Sequence, residues 1–411
     1  MSQKQTPNYL FPLIIVFIVC FLIGFVTTMN NSMIEFCKEA FKLNDAQGQL
    51  VNTFFYGAYA LSIPFALMMN KIGYKSTLVL GLAVVACGFI ANYLGVTAAL
   101  GSPNVYTVFL CSMSLVALGV VMLQLVANPY VMVLGAPESG AFRMTLSQAL
   151  NSVATTVAPL FITYVIIADK PRLPENVPGP FLGLGIFTLI IAAILFFIKL
   201  PDPDKDKKAE EEASPAEVDS KKYKDSVFKY PHVWLGALGI AMYMGVEIGI
   251  PSMLPAYWKA DTSLPGSATD YLWLYWGGMM VGRFIGSAIL AKFNARALLT
   301  ACLALGAACV GLSFFLSGMA AVYAMLAAGL FHSVMWPLIF NLGLQELGPH
   351  TKSASGIINM GVLGGATLPL LMGTIVDNPE LGVGVAIMLM FVYYAYVFWF
   401  CNFGSKIGLK K

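Results

Sequence analysis

Charged residues are scarce in this chain. Asp, Glu, Lys and Arg make up 11% of the 411 residues, and apolar residues make up 58%. A soluble domain carries roughly 25% charged residues. This scarcity excludes a water-soluble fold and indicates an integral membrane protein. Twelve helices of about 20 residues would occupy roughly 240 residues, which leaves short loops, short tails and no extramembrane domain of useful size.

The motifs of common enzymes are also absent from the sequence. There is no Gly-rich phosphate loop, no nucleophile elbow and no metal-ligand cluster. The seven cysteines form no paired motif, so we interpret them as small apolar residues. We therefore predict a protein that is not an enzyme, has no metal site and no cofactor, and draws its energy from an ion gradient.

Hydropathy and the positions of Pro and Gly predict an all-α integral membrane fold with twelve transmembrane helices. The predicted spans are 9–35, 48–69, 76–95, 105–134, 145–168, 180–200, 233–257, 270–292, 295–316, 319–346, 352–376 and 382–402. Residues 1–200 form an N-terminal six-helix bundle, 201–230 a charged cytoplasmic linker rich in Lys, Asp and Glu, and 231–411 a C-terminal six-helix bundle. Two equal bundles indicate a transporter whose halves rock around a central site.

The distribution of Lys and Arg predicts the orientation. With both termini inside, basic residues concentrate on the cytoplasmic side even when the linker is left out of the comparison. The positive-inside rule favours this orientation. We therefore expect a multi-pass protein of the cytoplasmic (inner) membrane with both termini in the cytoplasm.

An internal repeat supports the two-bundle prediction. The fourth span contains Gln124-Leu-Val-Ala-Asn128-Pro129 and the tenth contains His332-Ser-Val-Met-Trp336-Pro337, each with a polar residue five positions before a proline. Two basic residues four positions apart follow both the second and the eighth span: Lys71 with Lys75, and Lys292 with Arg296. The repeat predicts that equivalent positions of the two bundles face a shared cavity.

Few charged side chains fall inside the predicted spans. Glu247 lies in the middle of the seventh span, where nearby Gly and Pro loosen the helix, and His332 lies one turn from Trp336 in the tenth. Because a charge in the bilayer is costly, such residues usually face a partner or a water-filled path. Arg283, near the cytoplasmic end of the eighth span, is interpreted as an anchor for a loop or a neighbouring helix. Structural roles in hydrogen bonding or packing remain open for Glu247 and His332.

Uncharged polar residues repeat at helical spacing in several spans. They are Thr27 with Asn31, Gln124 with Asn128, and Gln148 with Asn151 and Thr155. Amides both donate and accept hydrogen bonds, which suits a neutral polyhydroxylated solute. Aromatic residues that could stack on a sugar ring are Tyr243, Trp273, Trp276 and Trp336. Hydrogen bonding between helices is the alternative role for the amides, and packing is the alternative for the aromatic rings.

Several motifs resemble one known family. They are Gln124-Leu-Val-Ala-Asn-Pro-Tyr-Val-Met-Val-Leu-Gly135 with Pro137-Glu138-Ser139 and Phe142-Arg143, Leu146-Ser-Gln-Ala-Leu-Asn-Ser152, Gly329-Leu-Phe-His-Ser-Val-Met-Trp-Pro-Leu-Ile-Phe-Asn341, and Gly364-Gly-Ala-Thr-Leu-Pro-Leu-Leu-Met-Gly373. Together they are similar to the fucose/glucose/galactose permeases of the major facilitator superfamily. The resemblance implies the major facilitator fold and cation-coupled uptake of a neutral hexose or 6-deoxyhexose by alternating access.

The chain departs from the family pattern in two places. Asn31 stands where the family commonly has Asp, and Gln124 stands where the fucose branch has Glu. Gln124 and Glu247 resemble the glucose/galactose branch. Because an amide cannot exchange a proton near neutral pH, Glu247, His332 or Glu35 would have to carry the coupling proton. Sodium coupling through oxygen ligands and uncoupled diffusion are the alternatives, although Glu35 is also interpreted as a solvated residue near the outer surface.

The sequence therefore predicts import of a glucose- or galactose-like hexose by symport, with an uncoupled sugar facilitator or an exporter of amphipathic compounds as alternatives. The predicted partners are the sugar and the lipid bilayer, with no nucleic acid and no obligatory protein partner. Proton or sodium is the expected coupling ion. The predicted substrate-binding residues are Asn31, Gln124, Asn128, Gln148, Asn151, Tyr243, Glu247, Trp276, His332 and Trp336, and the coupling candidates are Glu247, His332 and Glu35.

Overall fold

The computed structural model describes residues 10–134, 140–168, 170–198, 225–290, 294–347 and 350–409. Within these ranges the chain is helical and contains no β-strand. Most of the predicted linker lies outside the described residues, and so does the motif Pro137-Glu138-Ser139. The division of the chain at this linker therefore stays a prediction.

The helices follow the predicted spans closely. In the first half they are Leu10–Ala40, Asp45–Tyr56, Ser62–Ala99, Val105–Val133, Gly140–Phe161 and Pro178–Phe197. The long helix Ser62–Ala99 joins the second and third spans, which are separated at Gly73, where φ is 82°. Glycine adopts this left-handed conformation without steric cost, so the chain turns there from one span into the next.

The second half repeats this layout with more divided helices. They are Pro231–Glu247, Gly249–Ala260, Leu272–Leu290, Ala295–Leu312, Gly318–His332, Met335–Gly343, Thr351–Met360, Gly364–Asp377 and Gly382–Asn402. Among the described helices, 11 segments are long and apolar enough to cross a membrane. The predicted eighth span corresponds to a further helix, Leu272–Leu290, which contains Arg283 and packs against the fifth and tenth spans.

Helix interruptions recur in the middle of the spans. The seventh span breaks at Ile248 and the tenth at Ser333 and Val334. Each break falls three or four residues ahead of Pro251 or Pro337, where the proline ring clashes with the carbonyl of the preceding turn. Short 3-10 segments interrupt the second span at Gly57–Leu61 and the eleventh at Gly361–Leu363. The sequence prediction of a loosened helix around Glu247 is therefore confirmed.

The basic residues of the internal repeat make equivalent contacts in the two halves. The Nζ of Lys75 donates to the carbonyl of Phe196 at the end of the sixth span, at 2.9 Å. The Nε of Arg296 donates to the carbonyl of Cys401 at the end of the twelfth span, also at 2.9 Å. Each basic residue thus satisfies an orphan carbonyl of the last helix in its own half. These contacts support a common plan for the two bundles.

Contacts between the halves concentrate at the end of the bundle where the first span finishes. This end is predicted to be extracellular and is called the outer end below. The carboxylate of Asp377 accepts hydrogen bonds from the backbone N–H groups of Asp45 at 2.9 Å and Ala46 at 2.7 Å. Glu35 accepts hydrogen bonds from the N–H of Thr269, at 2.8 Å, and from its hydroxyl. The outer end is therefore closed in this structure.

Candidate functional site

A cavity of about 120 Å³ lies between the two halves. That volume is roughly ten times what one buried water requires, so a small solute fits. Its lining includes residues at or within two positions of four helix interruptions, namely Tyr59, Ile248, Trp336 and Val362. Irregular backbone at membrane depth is tolerated where it lines a cavity or is buried in protein. The broken helices therefore mark this cavity as the candidate site.

Six of the ten predicted substrate-binding residues line the cavity: Gln124, Gln148, Asn151, Glu247, Trp276 and Trp336. Thr27 and Thr155, which share helix faces with predicted site residues, line it as well. They come from both halves of the chain, although they are far apart in the sequence. The structure thus brings together most of the amides that the sequence singled out.

The amides on the cavity wall already bond to neighbouring helices. The Oε1 of Gln124 accepts a hydrogen bond from the Tyr59 hydroxyl at 2.8 Å. The Nδ2 of Asn151 donates to the carbonyl of Cys20 at 3.0 Å, and its Oδ1 accepts from Arg283 at 3.3 Å. Asn151 therefore holds three helices together at the cavity, while its side chain stays on the lining.

Arg283 connects the two halves beside the cavity. Besides Asn151, its guanidinium donates to the Ser152 hydroxyl at 2.7 Å and to the carbonyl of Ser333 at 3.3 Å. The predicted role of Arg283 as an anchor for a neighbouring helix is therefore confirmed. It also lines the cavity, where it interacts electrostatically with the Glu247 carboxyl. The sequence analysis missed this second role because Arg283 lies away from Glu247 along the chain.

Glu247 faces the cavity at the break in the seventh span and contacts the Tyr243 hydroxyl through its side chain. That hydroxyl donates its single hydrogen to the carbonyl of His332 at 3.0 Å. Tyr243 itself is buried and does not line the cavity, so its predicted contact with substrate is not seen in this conformation.

His332 lies among tyrosines and not on the cavity wall. Its Nδ1 is 2.7 Å from the Tyr275 hydroxyl and its Nε2 is 2.5 Å from the Tyr394 hydroxyl. The Tyr275 hydroxyl also donates to the carbonyl of Glu247 at 3.0 Å. This arrangement suits a neutral ring with its hydrogen on Nδ1. Of the two equivalent positions of the repeat, only Gln124 lines the cavity in this conformation, so the contact of His332 with substrate stays a prediction.

Two other predicted residues lie at the outer side of the cavity. Asn31 is buried between the halves, where its Oδ1 accepts hydrogen bonds from Asn52 and Ser252. Glu35 is also buried, bonded to Thr269 and within 3.2 Å of Arg172. The interpretation of Glu35 as a solvated residue is therefore wrong. The side chain of Asn128 lies outside the described residues.

The aromatic predictions divide according to the face of the eighth span. Trp276 lines the cavity, whereas Trp273 is 42% exposed on the outside of the bundle. Trp336 lines the cavity and stacks on Phe340, with ring centroids 4.9 Å apart. Tyr56 and Tyr59 also line the cavity. Sequence analysis missed both tyrosines, although their spacing of three residues within the second span placed them on one helix face.

Three residues on the cavity wall carry buried polar atoms that are left unbonded. Within the described part of the chain, Thr27 Oγ1, Tyr56 Oη and Trp276 Nε1 have no hydrogen-bond partner. Buried polar groups in proteins are normally paired with protein or water. The residues that carry these three atoms line the cavity beside an aromatic surface, although the atoms themselves are buried.

The chain is similar to known transporters over nearly its whole length. The family model described as the Major Facilitator Superfamily matches residues 16–369. The chain is 36% identical to a glucose/galactose transporter of Brucella abortus, covering 98% of this chain and 96% of the relative. It is 26% identical to the L-fucose-proton symporter of Escherichia coli, covering 98% and 95%. The crystal structure of the transporter FucP in the outward conformation matches with a TM-score of 0.70 at 25% identity, covering 97% of this chain and 99% of that chain.

Proposed function

Since the chain belongs to the Major Facilitator Superfamily, we propose that it imports a neutral hexose such as glucose or galactose by alternating access, coupled to a cation gradient. The names of the glucose/galactose transporter and the L-fucose-proton symporter support the sugar class. Family membership also confirms the predicted fold class and the prediction of a membrane-spanning transporter that is not an enzyme.

The observation that carries the proposal is the mixed lining of the cavity, where the polar side chains of Gln148, Asn151 and Glu247 accompany the rings of Trp276 and Trp336. Leaving a buried donor or acceptor unpaired costs about 1–3 kcal/mol. A hexose presents hydroxyls that both donate and accept, so it can pair with the polar side chains of this lining. An apolar or amphipathic solute would leave more of them unpaired, which disfavours export of such compounds.

The aromatic and polar groups of the cavity suit different parts of a sugar. Trp276 and Trp336 offer faces to the apolar side of a pyranose ring. Gln148 and Glu247 offer polar atoms to the ring hydroxyls from opposite halves. A sugar bound between them bridges the two bundles, so its binding energy can act on their relative movement.

Alternating access then requires the closed outer end to separate. The contacts of Asp377 with the second span and of Glu35 with Thr269 join opposite halves. They must break before sugar can enter from that side. The clustering of Lys and Arg supports placing that side outside the cytoplasmic membrane, with both termini in the cytoplasm. The sugar and the bilayer are the partners in this proposal, without nucleic acid or an obligatory protein partner.

A second candidate, an uncoupled sugar facilitator, is favoured by one specific observation. Asn31 occupies the position where the resembling family commonly has Asp, and its buried neighbours Asn52 and Ser252 are also uncharged. Among the described residues, the hydrogen-bond partners of Asn31 therefore include no carboxylate that could carry a proton. A facilitator would equilibrate the sugar without accumulating it.

The test is transport by the purified protein in liposomes. Counterflow of labelled glucose, galactose, mannose, N-acetylglucosamine and fucose measures sugar movement, and an imposed proton or sodium gradient then measures accumulation. We expect counterflow of glucose or galactose and accumulation under one gradient. The variant Trp276→Ala should weaken sugar binding, whereas the control Trp273→Ala, on the outer face of the same helix, should leave it unchanged. No counterflow of any sugar would overturn the proposal.

A further inference from the structure

A second group of buried polar side chains lies beyond the cavity, toward the outer end. It consists of Asn30 and Asn31 of the first span, Gln49 and Asn52 of the second, and Ser252 of the seventh, and it is called the amide cluster below. No member is more than 2% exposed. None of the five lines the central cavity. The amide cluster joins both halves, because Ser252 belongs to the second half and the other four residues to the first.

The hydrogen bonds of the amide cluster converge on one atom. The Nδ2 of Asn52 lies 3.2 Å from Asn31 Oδ1, 3.3 Å from Gln49 Oε1 and 3.0 Å from Ser252 Oγ. An amide nitrogen has only two hydrogens, so it cannot serve all three oxygens. Three oxygen atoms therefore surround a single point that carries partial positive charge.

Other polar atoms in and beside the amide cluster lack partners. Within the described residues, Asn30 Oδ1, Asn31 Nδ2 and the hydroxyl of Ser32 make no hydrogen bond, and Asn30 and Ser32 are at most 1% exposed. Orphaned buried atoms of this kind are rare, and a bound water or ion commonly explains them. Three such unpaired atoms close together at membrane depth indicate that a ligand binds among them.

We propose that the amide cluster binds a sodium ion. If the amide of Asn52 turns over, its Oδ1 joins the oxygens of Asn31, Gln49 and Ser252 around one point. The Nδ2 of Asn52 then points toward Asn30, and the amide of Asn30 turns over with it to present its Oδ1, which otherwise has no donor. The two orientations of an amide have nearly the same shape and are assigned from the hydrogen-bond network.

The chemistry of the four oxygens favours a monovalent hard cation. Amide and hydroxyl oxygens are ligands for hard cations, and divalent ions are bound more tightly as carboxylate ligands are added. The amide cluster has no carboxylate, since Glu35, one turn further along the first span, is engaged with Thr269 and Arg172. Sodium fits the proposed uptake better than potassium, because only an ion with an inward gradient can drive import.

The position of the amide cluster supplies a coupling mechanism that rests on the proposed sugar transport. Asn31, Gln49 and Asn52 belong to one half, and Ser252 reaches them only when the outer end is closed. Sodium therefore binds more tightly to the closed-outside arrangement than to the open one. A ligand with such a difference shifts the equilibrium between the two states. Sugar in the adjacent cavity favours the same closure, so the two ligands bind cooperatively.

The experiment measures binding of radioactive sodium to the purified protein and sugar accumulation in liposomes at increasing sodium. We expect saturable sodium binding that glucose or galactose strengthens, and accumulation that needs sodium and is not supported by potassium. Ser252→Ala should raise the half-saturating sodium concentration at least tenfold. Asn52→Asp, which adds a carboxylate, should lower it several-fold and so tests the site by a gain of affinity.

The matched control is Ser112→Ala. Ser112 is also buried and accepts a hydrogen bond from an asparagine, Asn92, at 2.7 Å, but it lies between the third and fourth spans. It should leave sodium affinity unchanged. Wild-type protein that binds no sodium, or equal sodium affinity in Ser252→Ala, Asn52→Asp and wild type, would overturn the sodium site. Sugar counterflow without any sodium effect would overturn the site alone, whereas absence of counterflow with sodium binding intact would overturn the sugar proposal alone.

Discussion

Replacing Asp377 with alanine should shift the protein toward a state that is open at the outer end. The Asp377 carboxylate accepts hydrogen bonds from the backbone N–H groups of Asp45 and Ala46, at 2.9 and 2.7 Å. These groups belong to the first turn of a helix, where N–H groups have no partner within the helix. The side chain of Asn44 already caps that turn through Gln47, so Asp377 adds a second acceptor from the opposite half.

The size of the shift follows from these two bonds. A side-chain cap at a helix N-terminus contributes typically about 1 kcal/mol, and the helix dipole adds a few tenths for a carboxylate. Asp377 is exposed, so water screens part of this interaction and we use the lower figure. A change of about 1 kcal/mol alters the ratio of closed to open states about fivefold.

The assay is the distance between spin labels on exposed residues at the outer ends of opposite halves, Lys42 and Glu380, with the exposed cysteines Cys87 and Cys111 replaced. Asp377→Ala should increase the ratio of the longer-distance to the shorter-distance population about fivefold. The matched control is Asp261→Ala. Among the described residues Asp261 bonds only within its own half, to Ser263 at 3.1 and 2.6 Å, so its loss should not change the distance distribution. An unchanged distribution in Asp377→Ala, or an equal change in the control, would refute the reasoning.

Three further predictions concern the cavity and its surroundings. Gln148→Ala should weaken sugar binding by about 1–3 kcal/mol through loss of a polar partner, measured by counterflow at varied sugar concentration; unchanged affinity would remove Gln148 from the site. Glu247→Gln should weaken sugar binding and preserve sodium-driven accumulation, because the proposed ion lies in the amide cluster; lost accumulation with retained exchange would assign coupling to Glu247. His332→Ala should lower the free energy of unfolding by about 1–3 kcal/mol, since it leaves the Tyr275 and Tyr394 hydroxyls without their buried partner. Thermal unfolding measures this loss, and a changed pH dependence of transport in the same variant would contradict the structural role of His332.

The prediction of cavity residues succeeded where helix periodicity decided the outcome. Gln148 and Asn151 are three residues apart on one helix, and both line the cavity. In a broken helix the periodicity fails. His332 and Trp336 should share a face, but the break at Ser333 and Val334 separates them, so Trp336 reaches the cavity and His332 packs among tyrosines.

Contacts between the two halves lay beyond prediction for a different reason. The hydrogen bond of Asp377 to Ala46 joins residues separated by 331 positions, and that of Asn52 to Ser252 joins residues separated by 200. No local pattern encodes which side chains of separate helices meet, because this depends on the packing of whole bundles. The sequence did not predict the burial of Glu35 for the same reason, because its partner Thr269 is 234 positions away.

The sequence by itself determined the membrane environment, the helical spans and the superfamily. Apolar composition forces the first two, because a chain inside a bilayer must satisfy its backbone hydrogen bonds within helices. The superfamily followed from the resemblance of motifs such as the one that begins at Gln124. Tertiary structure alone decided which polar groups form the cavity, which hold the halves together and which lie in the amide cluster. Asn31 and Asn151 are both amides on helices of the first half, yet one lies among buried oxygens and the other on the cavity wall. The difference is set by the neighbours that each side chain meets across helix interfaces.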